Sequence, residues 1–244
     1  MTTPPPGNTP APPKWQALDA RQRRVLGVLI EKAKTTPAAY PMTVNAIVTG
    51  CNQKNNRDPL TQYDSIDVEK ALDELRQLGV VSEIDWMGRV SKYKHHAYEW
   101  LGVSRVEVAV MTELLLRGAQ QLGELRARAA RMEAIPDLGE LKPVVEALLE
   151  RGLMLELTPQ GRGQVVSHNL YRSQELAEVR GQSAAYAARV SDDDGGRREH
   201  GHRPEPATPH SPDAPAELRA EIADLRAEVA ALRERIAALE SGGH

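Results

Sequence analysis

The chain contains an internal repeat whose two copies lie 73 residues apart, so that Gly79 aligns with Gly152. The apolar residues ahead of each glycine also align: Val68 with Leu141, Leu72 with Val145, and Leu75 with Leu148. Their spacing of i, i+4 and i+7 predicts a helix in each copy that ends at the glycine. Two short strands joined by a Gly-Arg turn follow, the second over 91–98 or 165–171. A helix, a glycine and two strands in this order are typical of the back half of a winged helix.

The front halves of the two copies match as well, but at an offset of 85 residues. Apolar stripes predict first helices over 19–34 and 104–117, and second helices fit 43–51 and 123–131. The larger offset gives the first copy about twelve extra residues between its first and third helices. The polar stretch 52–59 lies in this insertion.

Shifts in composition divide the chain into five segments. Residues 1–13 contain six prolines and no charge, and the polar stretch from 181 buries too little apolar area to offset its ordering entropy. The predicted segments are a disordered leader (1–13), winged-helix domain 1 (14–100), winged-helix domain 2 (101–180), a disordered linker (181–215) and a coiled coil (216–240). The predicted fold class is therefore mainly α with small β wings, as two tandem winged-helix domains plus a C-terminal coiled-coil helix.

Residues 216–240 carry an unbroken heptad pattern with spacings of four and three. Its core positions are Leu218, Ile222, Leu225, Val229, Leu232, Ile236 and Leu239. β-Branched residues at a and leucines at d favour two parallel strands, and all three g–e′ pairs of a parallel dimer are opposite in charge. We predict a homodimer through this helix, and a helix that folds back on its own domains remains the alternative.

Composition excludes several classes of protein. With 31 basic and 34 acidic residues the chain carries a net charge of −3, so it does not coat nucleic acid or membranes indiscriminately. The single cysteine, Cys51, excludes a disulfide framework and a Cys-based zinc site. No apolar run reaches the ~18 residues that a membrane span needs, and the N-terminus does not resemble a secretory signal. We expect a cytoplasmic protein without membrane contact.

No pattern in the sequence indicates catalysis, a metal site or a cofactor. Glycine motifs that bind nucleotides are absent from the sequence. His95 and His96 are consecutive in a predicted strand, so their side chains point to opposite faces and do not form a ligand pair. Cys51 is interpreted as a buried thiol, with a nucleophile as the alternative. We therefore expect a non-enzymatic protein with no cofactor.

Several stretches within about residues 15–175 resemble the YceH-like family, bacterial proteins of unknown function. They are LDARQRRVLGVLIEKAKTTPAAYPMTVNAIVTGCNQKNNRDP, ALDELRQLGVV, RVSKYKHHAYEWLGV and EVAVMTELLLRGAQQLGELRARAARM. The stretch GCNQKNNRDP is highly specific to that family. The resemblance implies a tandem winged-helix architecture and implies no particular activity.

The predicted third helices, 64–77 and 137–151, carry net charges of −3 and −2. A winged helix that binds DNA commonly places its third helix in the major groove. Phosphates repel acidic helices there, since affinity comes chiefly from neutralised phosphates. Neither third helix therefore has the charge of an ordinary recognition helix.

Amides and cations elsewhere are the candidate nucleic-acid contacts. They are Asn52, Gln53, Lys54, Asn55, Asn56 and Arg57 in the insertion, Arg89, Lys92 and Lys94 in the first wing, and Arg126, Arg128, Arg131 and Arg162 in the second domain. Amides donate and accept as base-edge readout requires, while cations hold phosphates. In the alternative interpretation the loop residues cap helices and close turns, and the arginines of 126–131 lie on a solvated helix face.

The sequence therefore predicts nucleic-acid binding, with DNA as the candidate partner and transcriptional regulation as the candidate role. The alternative is a scaffold of tandem winged helices that binds other proteins without contacting DNA.

Overall fold

A computed structural model describes residues 15–84, 90–161 and 163–182. The predicted leader, most of the linker and the heptad segment, with its seven core positions, lie outside these described residues. We refer to residues 15–102 as the first half and to residues 103–182 as the second half.

Each half contains three main helices, a small sheet and a short closing helix. The first half consists of α1 (Ala20–Thr35), a 3₁₀ turn (Pro37–Ala39), α2 (Val44–Cys51), α3 (Ser65–Gln77), β1 (Val81–Ile84), β2 (Lys92–His95) and α4 (Ala97–Leu101). The second half consists of α5 (Arg105–Arg117), β3 (Gln120–Gln121), α6 (Leu122–Ala129), α7 (Leu138–Glu150), β4 (Met154–Glu156), β5 (Val165–His168) and α8 (Ser173–Gly181). This is the predicted mainly helical fold with small β elements.

Side-chain caps explain where the long helices begin. Asp19, Asp64, Ser104 and Asp137 each accept a hydrogen bond from the backbone N–H three residues later. Such a cap satisfies one of the free N–H groups at a helix start. Gly79 and Gly152 follow α3 and α7 with φ of 72° and 67°, a conformation that is strained for other residues.

Both halves pair their strands in the same way. β1 and β2 are antiparallel, with Val81 opposite His95, and an isolated bridge joins Met42, just ahead of α2, to Tyr93 of β2. In the second half β3, just ahead of α6, and β4 both pair antiparallel with β5. The predicted second strands are too long, because β2 gives way to α4 at Ala97 and β5 ends at His168.

The core is mainly aliphatic, with Tyr93 and Trp100 as its buried aromatic residues, and it is continuous between the halves. Every residue of 22–31 in α1 and of 108–116 in α5 is buried, and these two helices pack on each other. At their crossing a Cβ on Gly27 would lie 2.9 Å from Cδ2 of Leu116. The close approach that glycine allows makes α1 and α5 the shared centre of one compact unit.

Among the described helices, none has both the length and the apolar composition for crossing a membrane. Residues 15–84, 90–161 and 163–182 likewise contain no group of three or more His, Cys, Asp or Glu side chains placed to hold a metal ion.

Candidate functional site

The insertion after α2 folds inward and ends in a buried ion pair. The Arg57 guanidinium donates from both Nη atoms to the carboxylate of Glu31 in α1. The distances are 2.5 Å from Nη2 to Oε2 and 3.2 Å from Nη1 to Oε1. Its Nε donates to the Gly50 carbonyl at 2.9 Å. The two side chains are 0% and 2% exposed. This corrects the prediction that Arg57 contacts phosphate, because its donors are used inside the protein.

The same network crosses from the first half to the second. Arg131, just after α6, reaches Glu31 with Nη1 at 2.5 Å and Glu113 of α5 with Nη2 at 3.1 Å. Arg117 lies 2.8 Å from the other oxygen of Glu113. Arg131 thus bridges two buried carboxylates that belong to different halves, which corrects its assignment as a free phosphate contact.

The pKa of Glu31 reflects these contacts. Burial alone raises the pKa of its carboxyl, but the hydrogen bonds and charges of Arg57 and Arg131 outweigh burial and hold the pKa below its ordinary value. The pKa of Arg131 is shifted up: burial lowers it, and the charges and hydrogen bonds of Glu31 and Glu113 more than compensate. Glu31 and Arg131 are therefore both ionised at neutral pH.

Three amides of the insertion hold the loop closed. Asn52 donates from Nδ2 to the Tyr63 carbonyl at 2.7 Å and accepts from the Tyr63 N–H at 2.8 Å. Gln53 accepts from Arg57 at 3.0 Å, and Asn56 accepts from Arg117 at 2.7 Å. These contacts agree with the alternative interpretation, in which such residues close turns rather than read bases.

Only some of the candidate nucleic-acid contacts lie at the surface of the described structure. Lys54 and Asn55 are exposed at the tip of the insertion. On β2, Lys92 is exposed and Lys94 is half-buried, and they flank the buried Tyr93. Successive strand residues point to opposite faces, so both lysines lie on the outer face of the hairpin. Arg89 and Arg162 lie outside the described residues.

The two remaining candidate arginines of the second half, Arg126 and Arg128, contact nearby residues of the protein. Arg126 donates to the carbonyls of Ile135 and Pro136 at 3.2 and 3.0 Å. Arg128 donates to Gln120 at 2.7 Å and lies 3.3 Å from Glu124, the i, i+4 pairing that the sequence allows.

The outward face of α3 combines acidic residues with exposed apolar ones. Ile66, in its first turn, is 72% exposed, and Leu60, in the segment leading to the helix, is 63% exposed. Glu69 and Asp73 are exposed further along the same helix. Arg76 is held by Asp73 at 3.2 Å and by Glu83 at 3.0 Å, which neutralises one of the two cations of α3.

Cys51 and the two consecutive histidines are packed rather than poised for chemistry. Burial raises the pKa of the Cys51 thiol to about 12, so the sulfur stays protonated, as a structural thiol does. The Nδ1 atom of His95 accepts the Ala97 N–H at 3.2 Å, and Nε2 of His96 lies 2.9 Å from the Ser82 hydroxyl. Both histidines are half-buried.

Comparison with known proteins assigns the chain to a family. Residues 18–164 match the family described as "Protein of unknown function, DUF480", and the chain belongs to this family. The match begins just before α1 and includes Glu31, Arg57, Glu113 and Arg131. The resemblance to an uncharacterised bacterial family is thereby confirmed.

Individual relatives carry the corresponding name, UPF0502 protein. One from Rhodopirellula baltica is 53% identical over 175 residues, covering 70% of this chain and 74% of the relative. One from Solibacter usitatus is 45% identical over 146 residues, covering 60% of this chain and 70% of the relative. A third, from Paracidovorax citrulli, is 40% identical over 159 residues, covering 63% and 68%. These names state no activity.

Proposed function

We propose that the protein is a non-enzymatic tandem winged-helix adaptor that binds a partner protein through the outward face of α3. The observation that carries this proposal is the exposure of Ile66 on a helix face that does not carry the basic charge of a DNA-recognition helix: its exposed charged residues are Glu69, Lys70, Asp73 and Arg76, and Arg76 is paired with Asp73 and Glu83.

The order and pairing of the elements support the winged-helix part of the proposal. Each half runs helix, short extended segment, helix, helix and two-stranded hairpin, and the extended segment pairs with the last strand of the hairpin. In this arrangement α3 and α7 are the third helices and the β1–β2 and β4–β5 hairpins are the wings. The fold class alone does not decide between nucleic-acid and protein partners.

The charge of α3 favours a protein partner. Glu69 and Asp73 repel a phosphate backbone, and Arg76 is already paired with Asp73 and Glu83. Lys70 is then the one exposed cation of α3 without an ion pair among the described residues, too little charge for a phosphate-binding helix. Ile66 gains nothing from phosphate contact, whereas burying its side chain against an apolar residue stabilises a complex by about 1.5–3 kcal/mol. A basic segment with an apolar anchor is the complementary partner.

The hairpin lysines favour a second candidate, contact with a nucleic-acid backbone. Lys92 and Lys94 share one face of β2, which is how a wing touches phosphates. In the insertion, Lys54 and Asn55 are the candidate contacts that are exposed. This candidate places the contacts on the wing and the insertion, and not on α3.

Site-specific photocrosslinking in cells separates the two candidates. A photoreactive amino acid replaces Ile66, Lys92 or, as a control on an exposed helix of the second half, Glu178. The adaptor proposal expects a discrete protein adduct from position 66, absent from 178 and lost when Glu69 and Asp73 are changed to Lys. A nucleic-acid adduct from position 92 with no protein adduct from 66 supports the second candidate and overturns the first.

We also propose that the protein is a homodimer through residues 216–240. The support is the heptad spacing and the g–e′ charge order, since this segment lies outside the described residues. A dimer presents two α3 faces to one partner assembly and raises their effective concentration there.

A further inference from the structure

A cavity of about 250 Å³ lies where the two halves meet. Its walls come from α1, the segment 58–63, the end of α5 and the stretch between β5 and α8. Arg23, Arg24 and Arg117 line it, together with Asp58. Among the charged residues that the structure describes there, three are arginines and one is an aspartate.

Arg24 is buried without a carboxylate partner in the described part of the chain. The residue is 4% exposed. Its Nη atoms donate to neutral oxygens: the Cys51 carbonyl at 2.9 Å, the Pro59 carbonyl at 2.7 Å, the Thr61 hydroxyl at 3.3 Å and the Leu116 carbonyl at 3.4 Å. Its Nε is buried and has no hydrogen-bond partner among the described residues. A buried donor without a partner is costly, and a buried charge without a counter-ion is more so.

The surroundings of Arg24 increase this imbalance. Its pKa is lowered, first by burial and then by the nearby charge of Arg57, while Asp58 contributes the weakest of the opposing effects. In the described region around the cavity, five arginines face three buried or half-buried carboxylates and the exposed Asp58. The arginines are Arg23, Arg24, Arg57, Arg117 and Arg131, and the carboxylates are Glu31, Glu113 and Glu175.

Arg117 is the second cation that is incompletely satisfied. Its Nε lies 2.8 Å from Glu113 Oε1, but neither atom makes a hydrogen bond of acceptable geometry in the described structure. Arg23, by contrast, is held by both oxygens of Glu175 at 2.9 and 2.5 Å. The positive charge without a carboxylate partner in the described structure therefore belongs to Arg24, while Arg117 shares Glu113 with Arg131.

Neutral donors complete the lining. Nδ1 of the buried His168 accepts the Leu170 N–H at 3.2 Å, so the ring proton sits on Nε2, which is a donor. Tyr63 also lines this cavity. Arginines together with neutral hydrogen-bond donors in a confined volume are the groups that bind oxyanions in proteins.

We propose that this cavity binds a small oxyanion, a phosphate or carboxylate group, against Arg24 and Arg117. The anion supplies the missing counter-charge for Arg24 and contacts residues of both halves, so binding stabilises their junction. The volume suits the anionic group of a metabolite more than a whole cofactor, since pockets for drug-sized ligands begin near 300 Å³. This inference does not depend on the adaptor function proposed above.

Titration of the full chain with inorganic phosphate, at constant ionic strength against chloride, tests the proposal by calorimetry and by the unfolding midpoint. We expect saturable one-site binding and a rising midpoint. Arg24→Met weakens phosphate binding at least tenfold, whereas Arg21→Met, which removes an arginine of the same helix paired to Asp67 on the surface, leaves binding unchanged. Ala119→Leu narrows the cavity, keeps every arginine and also weakens binding, which preserves the test if Arg24→Met does not fold.

Glycerol 3-phosphate distinguishes the source of the anion. Binding at least as tight as that of phosphate assigns the site to the phosphate group of a larger molecule, and binding of phosphate alone assigns it to the free anion. Either result supports the proposal. Binding that does not saturate, or that is lost equally in Arg21→Met and Arg24→Met, overturns it.

Discussion

Arg57 and Glu31 form a two-point ion pair across 26 residues of sequence, and both side chains are buried. One comes from a polar loop and the other from the apolar stripe of α1. Arg57→Met leaves the buried Glu31 with Arg131 as its one remaining cation among the described residues, and the loss of one member of a buried pair typically costs about 3–5 kcal/mol. We therefore expect Arg57→Met to lower the free energy of unfolding by this amount in a denaturant titration.

The matched control for Arg57→Met is Lys54→Met, in the same loop but exposed. Its effect on the free energy of unfolding is expected to stay within about 0.5 kcal/mol, as at most surface sites. Equal destabilisation by the two substitutions would show that the loop tolerates no apolar residue and that the ion pair has no special role.

We expect alanine substitutions at two glycines, one in α2 and one in the corresponding α6, to change the free energy of unfolding in opposite directions. A Cβ on Gly50 of α2 would lie 2.6 Å from Cγ1 of Val28, a buried β-branched side chain with little freedom to move. Gly50→Ala should lower the free energy of unfolding by about 1–3 kcal/mol through overpacking. Gly123 of α6 has open space around it, so Gly123→Ala should raise that free energy by up to about 1 kcal/mol. Thermal and denaturant unfolding of both variants checks the pair, and a stabilised Gly50→Ala contradicts the packing of α1 on α2.

The lowered pKa of His95 predicts that the protein loses stability in mild acid. Burial lowers its pKa from 6.5 to about 4, and smaller effects come from His96, Glu99 and Lys34. Between these values the unfolded chain takes up the proton and the native protein does not, so the free energy of unfolding falls as the pH falls from 6.5 towards 4. In His95→Asn, whose side-chain oxygen keeps an acceptor for the Ala97 N–H, the slope over this window should be smaller by up to one proton, or about 1.4 kcal/mol per pH unit. Denaturant midpoints of both proteins across this window measure the difference, and identical slopes would show that His95 titrates normally.

The helices were largely predictable from the sequence because their signals are local. The predicted ranges of the first and third helices start at Asp19, Asp64, Ser104 and Asp137, which are the observed caps. Gly79 and Gly152 follow α3 and α7 as the repeat predicts. The short helices α4 and α8 were not predicted, because no comparable residue signal marks where the preceding strands end.

The role of Arg57 was not predictable from its own neighbourhood, where polar residues on every side indicate an exposed loop. Its burial depends on Glu31 and Arg131, which are distant in the sequence. The sequence signal for this network lies instead with the acidic partners. Glu31 and Glu113 interrupt the apolar runs of two helices that are otherwise buried, and a buried acid requires a cation.

The homodimer stays a prediction that truncation tests. In sedimentation at tens of micromolar, the full chain should be a dimer and a version ending at Pro215 a monomer. Changing Glu221 and Glu228 to Arg should also give a monomer, because each then faces an arginine at e′ in a parallel pair. A monomer for the full chain, or a dimer for the truncated one, contradicts an interface in residues 216–240.

We predict that the insertion after α2 joins the two halves into one cooperative unit. Hydrogen exchange measured by mass spectrometry on the native protein and on Arg57→Met tests this coupling, because α3 and α7 report on separate halves and neither contacts Arg57 through a hydrogen bond or ion pair that the structure describes. We predict that the slowest amides of α3 and α7 in the native protein open with the same free energy, and that Arg57→Met lowers both by the same amount. Loss of protection confined to the first half, with α7 exchanging as in the native protein, would contradict the claim.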